Sequence, residues 1–534
     1  MQRIERIIGY AGAGKTTAII DRIATSGLGP EEIAVTSFTR AARAILCKRA
    51  APHLGVNAWW LERRGYFRTA HSMAWRAIQS DKTFAPLDEI GIRDLMLKQV
   101  GVGLVTKEPG LDAVIGAWAA ARSANVPFRH MMKKVLMPVG ERLRTMAGYV
   151  VEQYELAKQR GGLLDHTDIL GKFAGITWNR DGTWQKAFAH GEPPRGLKMV
   201  IVDEAQDASA LVYRVQQRLQ EGVPRVIVAG DWNQSIFGWV GSSPKFFRDW
   251  EGVTEETVLP KSWRCRRAVW ERALRPLHST SDWVDHHVAP ADEGGTVRRA
   301  LSIQQGIPEF AKLEGSCLAL ARTDEGLRTI IKALDAASIP WTDARKETPL
   351  QSRRDAFYAI HQLSNGKPVE GDLFKRAIES MPQRKVLKRD SRKRWANGDF
   401  DHLDLIHPQW LEQAGVSERG CEAIRGGRWE ELLDDTPGFQ RWNDTRKKYG
   451  AEYASFARVQ VSTIHGAKGM EADNVFVNTE SSALITKATS YNTPDHRDAR
   501  DEEARIAYVA MSRAKTNLVL ARNGKTVHNG KEYF

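Results

Sequence analysis

The chain has 534 residues, of which 42% are hydrophobic, and its 78 Lys and Arg against 65 Asp and Glu give a formal net charge of +13. This length can bury several cores and predicts two to four domains, which excludes a disordered tail and a disulfide-stapled mini-protein. The positive charge favours a polyanionic partner such as nucleic acid, although proteins that bind nothing acidic also reach this charge.

The cysteine pattern and the hydropathy give further exclusions. No C-x-x-C pair is present and the cysteines are spread singly, which favours neither a zinc site nor a disulfide framework and fits a reducing, cytoplasmic location. No apolar run approaches the ~18 residues that cross a bilayer, and the N-terminus lacks a signal-peptide pattern. The sequence therefore predicts a protein without a membrane partner. The four cysteines are Cys47, Cys265, Cys317 and Cys421.

The first forty residues alternate between strand and helix patterns. The apolar run at 6–8 predicts a strand that ends in a glycine-rich turn, and Lys15–Ala24 has isoleucines at helical spacing. Ile33–Thr36 predicts a second strand, which is followed by a helix-favouring segment. This order of strand, loop, helix and strand is typical of a parallel α/β sheet.

Two further apolar runs each end in an acid. Residues 199–202 precede Asp203, and residues 226–230 precede Asp231. Both runs predict buried parallel strands that deliver a carboxylate to the carboxyl edge of the sheet, where open α/β sheets bind ligands. Strands of another set are predicted near the C-terminus, at 459–461, 474–477 and 517–520.

Between these regions lie two stretches of a different composition. Residues from about 80 to 165 and from about 345 to 455 are rich in charges, Trp and helix formers, which predicts mainly helical insertions. The second stretch contains a basic run from Lys375 to Asp399. This run is either a solvated helix face or a surface that contacts phosphates.

The segment Gly9–Thr16 reads GYAGAGKT and matches G-x-x-x-x-G-K-[ST] between a strand and a helix. In such a loop, backbone N–H groups surround the phosphates, Lys15 reaches the β- and γ-phosphates, and the Thr16 hydroxyl ligates Mg²⁺. Asp203 is the expected strand-end Mg²⁺ ligand, and Glu204 beside it is the expected general base. The residues alone predict a Mg²⁺-dependent nucleoside triphosphatase; an accidental match and an ordinary solvated loop at Asp203 and Glu204 are the alternatives.

Further segments extend this pattern. They are DEAQD (203–207), GDWNQSIF (230–237), VSTIHGAKGME (461–471) and AYVAMSRA (507–514). With the phosphate loop, they resemble the UvrD/Rep/PcrA branch of superfamily 1 helicases in order and spacing, from residue 9 to about 520. The resemblance implies an α/β fold of two RecA-like P-loop NTPase cores with parallel sheets, each carrying a mainly helical insertion, and ATP bound in the cleft between the cores.

The resemblance also divides the chain. The first core is expected at 1–80 and 166–254, with its insertion at 81–165. The second core is expected at 255–345 and 456–534, with its insertion at 346–455.

Roles for single residues follow from the same resemblance. Gln234 is similar to the glutamine that senses the γ-phosphate and couples it to DNA, and Arg264 and Arg513 look like two arginines that contact this phosphate, a task that suits guanidinium groups. Trp263 takes the place of a tyrosine that stacks on adenine, and Glu471 resembles the acid that bonds the ribose. The remaining expected nucleotide contacts are Gly9, Ala11, Gly12, Ala13, Gly14, Lys15, Thr16, Thr17 and Gly469.

The expected DNA contacts lie in both cores. The aromatic rings of Phe38, Phe237 and Trp239 stand where the family stacks bases, and packing in the core is the alternative for the two phenylalanines. The other positions that match the DNA-contacting motifs are Thr39, His71, Thr463 and His465.

Two departures from the family bear on nucleotide preference. Only eight residues precede Gly9, which is too few for the glutamine motif that reads adenine, and Thr17 stands where many relatives have arginine. Base recognition is therefore expected to depend on Trp263.

The resemblance predicts an ATP-dependent DNA helicase that translocates on single-stranded DNA in the 3′ to 5′ direction and couples ATP hydrolysis to closure of the two cores. ATP and Mg²⁺ are the expected cofactors. Single-stranded DNA and junctions of single and double strands are the expected partners, and we expect a monomer when the protein is free. The alternative is a translocase that removes bound proteins without processive unwinding. A binding protein with a degraded ATPase is disfavoured by the intact acids and arginines.

Overall fold

The computed structural model describes residues 2–79, 85–86, 110–134, 141–344, 349–382, 386–400, 402–433, 438–490 and 496–522. These residues form two compact units. The first unit comprises the described residues up to 294 together with 483–512, and the second comprises 295–482 together with 513–522. Each unit contains a six-stranded sheet in which every pair of neighbouring strands is parallel.

The strands of the first unit are β1 (Arg3–Ile8), β2 (Ile33–Thr36), β3 (Tyr66–Arg68), β4 (Ala85–Pro86), β5 (Leu163–Leu164), β6 (Ile176–Trp178), β7 (Trp184–Lys186), β8 (Met199–Val202), β9 (Arg225–Gly230), β10 (Glu255–Val258), β11 (Lys261–Ser262) and β12 (Ala289–Pro290). The strands of the second unit are β13 (Thr296–Ala300), β14 (Cys317–Ala321), β15 (Trp341–Asp343), β16 (Val369–Glu370), β17 (Leu405–Ile406), β18 (Val459–Thr463), β19 (Ala472–Asn478) and β20 (Ala514–Ala521).

The helices up to the end of the first core are α1 (Lys15–Ala24), α2 (Arg40–Ala50), α3 (Ala58–Arg63), α4 (Ala70–Ile78), α5 (Leu111–Ala124), α6 (Phe128–Lys134), α7 (Glu141–Thr145), α8 (Ala147–Gly161), α9 (His166–Ala174), α10 (Ala210–Gln220), α11 (Lys245–Arg248) and α12 (Arg267–Leu274). The later helices are α13 (Ile303–Phe310), α14 (Asp324–Ala336), α15 (Pro349–Ser364), α16 (Gly371–Ser380), α17 (Ser391–Ala396), α18 (Glu418–Arg425), α19 (Phe439–Tyr449), α20 (Ala451–Ser455), α21 (Ala483–Ser490) and α22 (Arg497–Met511). Every helix in the described ranges is too short or too polar to span a bilayer.

The first sheet has the strand order β10-β1-β9-β8-β2-β3. The four-residue strands β2 and β8 are buried along their whole length, as the apolar runs predict for central parallel strands. One face packs against α1 and α2 through side chains such as Ile19, Leu46 and Ile201. In another hydrophobic cluster of the first unit, Leu170 of α9 packs with Leu211 of α10. Because all strands run in parallel, the residues after β1, β2, β8 and β9 meet at one edge.

The second sheet has the strand order β13-β20-β19-β14-β18-β15. Its core includes Ile330 of α14 and Phe476 of β19. A separate core, which contains Trp395, Trp429 and Trp442, holds helices α15 to α20 together. Each sheet thus carries a mainly helical insertion, and the predicted fold class is confirmed: two RecA-like cores with parallel sheets.

The division of the chain differs from the predicted boundaries in two places. Residues 255–294 lie in the first unit, because β10 pairs in parallel with β1 at the sheet edge. Residues 483–512, which include α22, also lie in the first unit. The sequence does not reveal these placements, since both depend on pairings with residues that are distant in the chain. The other boundaries stay predictions.

A buried group of charges holds the first insertion to α9. The guanidinium of Arg122 in α5 bonds Asp165 at 2.6 Å and Asp168 at 2.9 Å, and the amine of Lys158 in α8 bonds the same two acids at 2.7 and 2.6 Å. Burial by itself raises the pKa of Asp165, but the charges of Arg122 and Lys158 outweigh burial and hold this pKa well below its usual range. Burial and the charge of Asp165 raise the pKa of Asp168, so Asp165 is the acid that the two cations hold ionised.

Candidate nucleotide and DNA site

The phosphate loop joins β1 to α1, as predicted. Gly12 and Gly14 have φ values of 73° and 86°, in the left-handed region that glycine adopts without strain. A side chain at Gly12 would also meet the Cβ of Arg264 at 2.4 Å. The Lys15 amine donates to the Gly9 carbonyl oxygen at 2.9 Å, which holds the lysine over the loop. Ala13 lies within the same turn, where its N–H donates to the Tyr10 carbonyl oxygen at 3.0 Å.

Residues from distant parts of the first unit fix the outer side of the loop. The Ser262 hydroxyl donates to the Ala11 carbonyl oxygen at 2.7 Å, and the Trp263 N–H donates to the Gly12 carbonyl oxygen at 2.9 Å. The Ala11 N–H in turn donates to the Tyr508 hydroxyl at 3.0 Å. The loop therefore has a defined conformation set by contacts that the sequence pattern did not reveal.

The strand-end acid Asp203 is buried directly after β8, where its N–H donates to the Thr36 carbonyl oxygen at 2.9 Å. Burial and the neighbouring Glu204 raise the pKa of Asp203 to about 7, against the opposing charge of Lys15. Glu204 has a φ of 54°, an uncommon conformation for a residue with a side chain. Such strain is found at functional sites, and it here turns the chain directly after β8.

A second strand-end acid, Asp231, follows β9. Its carboxylate accepts hydrogen bonds from Gln234 Nε2 at 2.8 Å and from the Tyr508 hydroxyl at 3.2 Å. Gln206 links the two strand ends, because its amide nitrogen donates to Glu204 and its amide oxygen accepts from the Asp231 N–H at 3.0 Å. Neither Gln206 nor Tyr508 is among the predicted site residues. The available signal was their place in two of the motifs, DEAQD for Gln206 and AYVAMSRA for Tyr508.

The residues at this edge fit a magnesium ion. Asp203 Oδ1 is buried and has no hydrogen-bond partner among the described residues, which is what an unshared metal ligand would show. Thr16 lies at the start of α1, as the loop pattern requires. Mg²⁺ is usually bound by one or two protein oxygens together with phosphates and waters. In the described ranges, no group of three or more His, Cys, Asp or Glu is arranged as a metal site.

The residues expected near the base and the γ-phosphate have different environments. The Trp263 ring is 68% exposed, with the Lys261 amine 5.7 Å from its centroid. The Arg264 guanidinium is half-buried and donates to the Ser512 carbonyl oxygen at 3.4 Å. Thr17 accepts a hydrogen bond from the Arg49 guanidinium at 3.0 Å. An open aromatic face and an oriented arginine therefore adjoin the loop, because Trp263 and Arg264 directly follow Ser262.

On the DNA side, Phe38 and Phe237 are brought together from the ends of β2 and β9. Their rings are stacked, with centroids 5.3 Å apart and planes at 25°. Phe38 is 38% exposed and Trp239 is 59% exposed, so neither ring is covered as a core residue would be. The Gly238 N–H between the two predicted stacking residues donates to Glu502 Oε1 of α22 at 2.9 Å. This edge of the first unit therefore presents aromatic faces to solvent.

Two further predicted DNA contacts begin helices in the first unit. The exposed Thr39 caps α2, where its hydroxyl accepts from the Ala42 N–H at 3.1 Å. His71 lies in the first turn of α4, with its ring centroid 5.3 Å from that of His166. Burial and the neighbouring His166 lower the pKa of His71 to about 4, so its ring is neutral near pH 7. A contact from His71 to a phosphate would therefore rely on a hydrogen bond, not on charge.

The remaining predicted residues lie in the second unit. Thr463 ends β18, and its hydroxyl accepts from the Gly466 N–H at 3.2 Å; the half-buried His465 lies in the turn between them. Glu471 forms an ion pair with Lys515 at 3.0 Å. Gly469 has a φ of 88°, and the guanidinium of the buried Arg513 donates to the Met470 carbonyl oxygen at 3.3 Å. These residues thus cluster at the loop after β18 and at the start of β20.

The basic run after Lys375 is largely engaged within its own insertion. The Arg392 guanidinium donates to the carbonyl oxygens of Ile378 and Met381. Arg394 pairs with Asp399 at 3.3 Å, and Lys388 pairs with Glu412 at 3.1 Å. These contacts favour the solvated helix face over a surface built to contact phosphates.

Comparison with known families gives two matches. Residues 3–252 match the model of the UvrD/REP helicase N-terminal domain, and residues 444–525 match that of the UvrD-like helicase C-terminal domain. Together the two matches cover more than half of the chain. They include the phosphate loop, both strand-end acids and the loop after β18.

Relatives with curated descriptions extend the match over nearly the whole chain. YjcD of Bacillus subtilis is 22% identical over 98% of this chain and 78% of its own length, and DNA helicase II of Escherichia coli is 24% identical over 99% and 83%. DNA helicase II of Haemophilus influenzae is 22% identical over 70% of this chain and 60% of its own length. With two cores that each contain a parallel sheet, and with the site geometry, these matches show that the chain belongs to the UvrD-like superfamily 1 DNA helicases, a family of ATP-dependent DNA helicases.

Proposed function

We propose that the protein translocates along single-stranded DNA in the 3′ to 5′ direction and unwinds duplex DNA, with ATP hydrolysis coupled to closure of the two cores. The observation that carries this proposal is the segment from Asp231 to Trp239. Gln234 bonds Asp231 at the nucleotide end, and Phe237 stacks on Phe38 three residues later. One short segment therefore connects the nucleotide edge to the exposed aromatic rings. The direction and the closure rest on the family resemblance.

The nucleotide chemistry assigns a task to each residue at the strand ends. Lys15 would bind the β- and γ-phosphates in place of its present contact with Gly9, and Thr16 and Asp203 would hold Mg²⁺. The ion neutralises charge on the phosphates when it is bound. Glu204 accepts the proton of the attacking water, and the hydrogen bond from Gln206 orients its carboxylate. Arg264 and Arg513 supply guanidinium groups that stabilise charge on the transferred phosphoryl group.

The DNA side works by stacking and by contacts to the backbone. Phe38, Phe237 and Trp239 offer rings on which bases of any identity stack, which suits an enzyme that moves along arbitrary sequence. Thr39, His71, Thr463 and His465 hold the sugar-phosphate backbone. Because Gln234 is only three residues from Phe237, a change in its contact to phosphate shifts the ring that holds a base.

The test offers the protein ATP, Mg²⁺ and duplexes that carry either a 3′ or a 5′ single-stranded tail. We expect DNA-stimulated hydrolysis with both and strand separation of the 3′-tailed duplex only. Separation of only the 5′-tailed duplex would refute the direction. Stimulated hydrolysis without separation of either duplex would refute unwinding and leave the translocase that removes bound proteins as the function.

A further inference from the structure

Positive charge is concentrated next to β3, the edge strand of the first sheet. Between residues 40 and 68 the chain has seven Lys and Arg residues and a single acid, Glu62. Arg43 reaches Glu62 only at 3.8 Å. The local excess of positive charge is therefore not neutralised within this part of the fold.

Two of the cations near β3 have a structural task. The Arg68 guanidinium donates to the Arg63 carbonyl oxygen at 3.0 Å, and the Arg76 guanidinium donates to the Arg64 carbonyl oxygen at 2.9 Å. These bonds satisfy carbonyl groups at the C-terminal end of α3, where cations are favourable. Burial and the nearby charges of Arg76 and Arg43 lower the pKa of Arg68, so like charges are crowded here.

The side chains of Trp59, Arg63 and Arg64 have no such task, and we call this set the β3 edge face. Trp59 is 61% exposed, and both arginines are exposed. Trp59 and Arg63 are four residues apart in α3 and so lie on one side of the helix. Within the described ranges, neither the Arg63 nor the Arg64 guanidinium forms an ion pair or a hydrogen bond. The face thus offers an open ring and two uncommitted cations.

The β3 edge face is connected to the elements that carry the DNA contacts proposed above. The Arg68 guanidinium, which also bonds the end of α3, donates to the Ser72 hydroxyl at 3.2 Å. Ser72 belongs to the same first turn of α4 as His71. On its other side, α3 packs against α2, the helix that Thr39 caps. The face is therefore linked to α2 and α4, the two helices that begin with the first unit's expected backbone contacts.

We propose that the β3 edge face binds single-stranded DNA beyond the bases held by Phe38, Phe237 and Trp239, and so lengthens the DNA site of the first core. This inference rests on the proposed function. An exposed aromatic ring beside free cations is the combination that binds single strands, because the ring stacks on a base while the cations contact phosphates. An acidic protein would use the cations but would not need the ring. The charge, the ring and the links to α2 and α4 together favour single-stranded DNA as the ligand.

The test measures binding of the full chain to labelled oligo(dT) of about 8 and about 16 nucleotides, which brackets a short and a long site. One variant combines Arg63→Gln and Arg64→Gln, and a second is Trp59→Ala. The matched control combines Lys186→Gln and Arg214→Gln, which removes two exposed positive charges from elsewhere in the first unit: Lys186 ends β7, and Arg214 lies on α10. Affinity is measured as a function of salt concentration. In a separate assay, poly-L-glutamate competes with the labelled oligonucleotide.

We expect the arginine variant to lose about tenfold in affinity for the long oligonucleotide and to reduce its salt slope by about 1.4, because each single-strand phosphate contact contributes roughly 0.7. Trp59→Ala should also weaken long-oligonucleotide binding by about tenfold, without a change in slope. The short oligonucleotide should bind all proteins alike. Such a pattern supports the longer site.

Three results would overturn the proposal. The first is that the variants and the control bind the long oligonucleotide with the same affinity. The second is that the variants lose the same affinity for both lengths. The third is that poly-L-glutamate competes as strongly as oligo(dT) of the same charge. A wild-type protein that binds neither length would instead refute the proposed function. The two failures are therefore distinguishable.

Discussion

Tyr508 and Asp231 are joined by a hydrogen bond in which the tyrosine hydroxyl donates to the carboxylate at 3.2 Å. The same hydroxyl accepts the Ala11 N–H of the phosphate loop at 3.0 Å. Burial and the charge of Asp231 raise the pKa of Tyr508, so the hydroxyl keeps its proton and remains a donor. Through one oxygen atom, α22 ties the phosphate loop to the segment that carries Gln234.

Replacement of Tyr508 by Phe removes only this oxygen. We expect kcat/KM for ATP to fall about tenfold, because hydrogen bonds to a charged group contribute roughly 1.5–3 kcal/mol and the loop and Asp231 lose their shared partner. Steady-state hydrolysis with saturating DNA measures the change. The control is Tyr213→Phe, which also removes a hydroxyl that accepts a backbone N–H, that of Glu251, at 3.4 Å. Equal kinetics for the two variants would show that Tyr508 does not position the loop.

Glu204→Gln should bind ATP with unchanged affinity and lose at least about a hundredfold in turnover, since general bases typically contribute 10² to 10⁴. A fluorescent ATP analogue measures binding, and phosphate release measures turnover. Glu221→Gln, which changes an exposed acid after α10, serves as the control. Normal hydrolysis by Glu204→Gln would assign the base to another residue.

Trp239→Ala should weaken binding of single-stranded DNA by about tenfold or more, because stacking on one ring contributes roughly 1–3 kcal/mol per base. The KM for ATP without DNA should stay the same, as Trp239 lies outside the phosphate loop. Fluorescence anisotropy with labelled oligo(dT) measures the affinity. Phe188→Ala removes another exposed aromatic ring of the first unit and should have no effect. If both variants bind DNA like the wild type, Trp239 is not a stacking residue.

Arg122→Leu should lower the free energy of unfolding by about 3–5 kcal/mol, because it leaves the buried carboxylates of Asp165 and Asp168 with one cation fewer. Urea denaturation followed by tryptophan fluorescence measures the loss. The control, Arg160→Leu, removes the same group from an exposed position of α8 and should change stability by less than about 0.5 kcal/mol. Similar midpoints for the two variants would mean that the network contributes little.

The half-buried His71 predicts a pH dependence of stability. Its pKa is about 4 in the folded protein, below the usual 6.5 expected after unfolding, so the unfolded chain binds the proton more readily. The full contribution to stability is therefore present above pH 6.5, declines as the pH falls from 6.5 to 4, and changes no further below 4. Because one pKa unit corresponds to ~1.4 kcal/mol, the decline is at most about 3.5 kcal/mol.

Comparison with His71→Gln isolates this effect from other titrating groups. Chemical denaturation at several pH values between 7.5 and 4.5 should give a smaller slope for the variant than for the wild type. Parallel slopes would show that His71 is protonated equally in both states.

Elements whose signals are local could be predicted from the residue pattern alone. The phosphate loop, α1, β2 and β8 lie where the patterns predict them, because a glycine-rich turn and a fully buried apolar strand each follow from a few adjacent residues. The apolar runs before Asp203 and Asp231 likewise predicted that both acids lie at strand ends. Membership of the family followed from the order of these motifs, but the roles of single residues stay predictions.

The distant residues that complete the site are known from the folded structure and not from the residue pattern. Tyr508 reaches Asp231 across 277 positions of the chain, and no periodicity relates two such residues. The short strands β3 and β10 carry too few apolar residues to be recognised, and their pairing depends on the neighbouring strands. Local propensity specifies strands and helices. Hydrogen bonds and burial between remote segments, which depend on the whole fold, specify which helix contacts the phosphate loop.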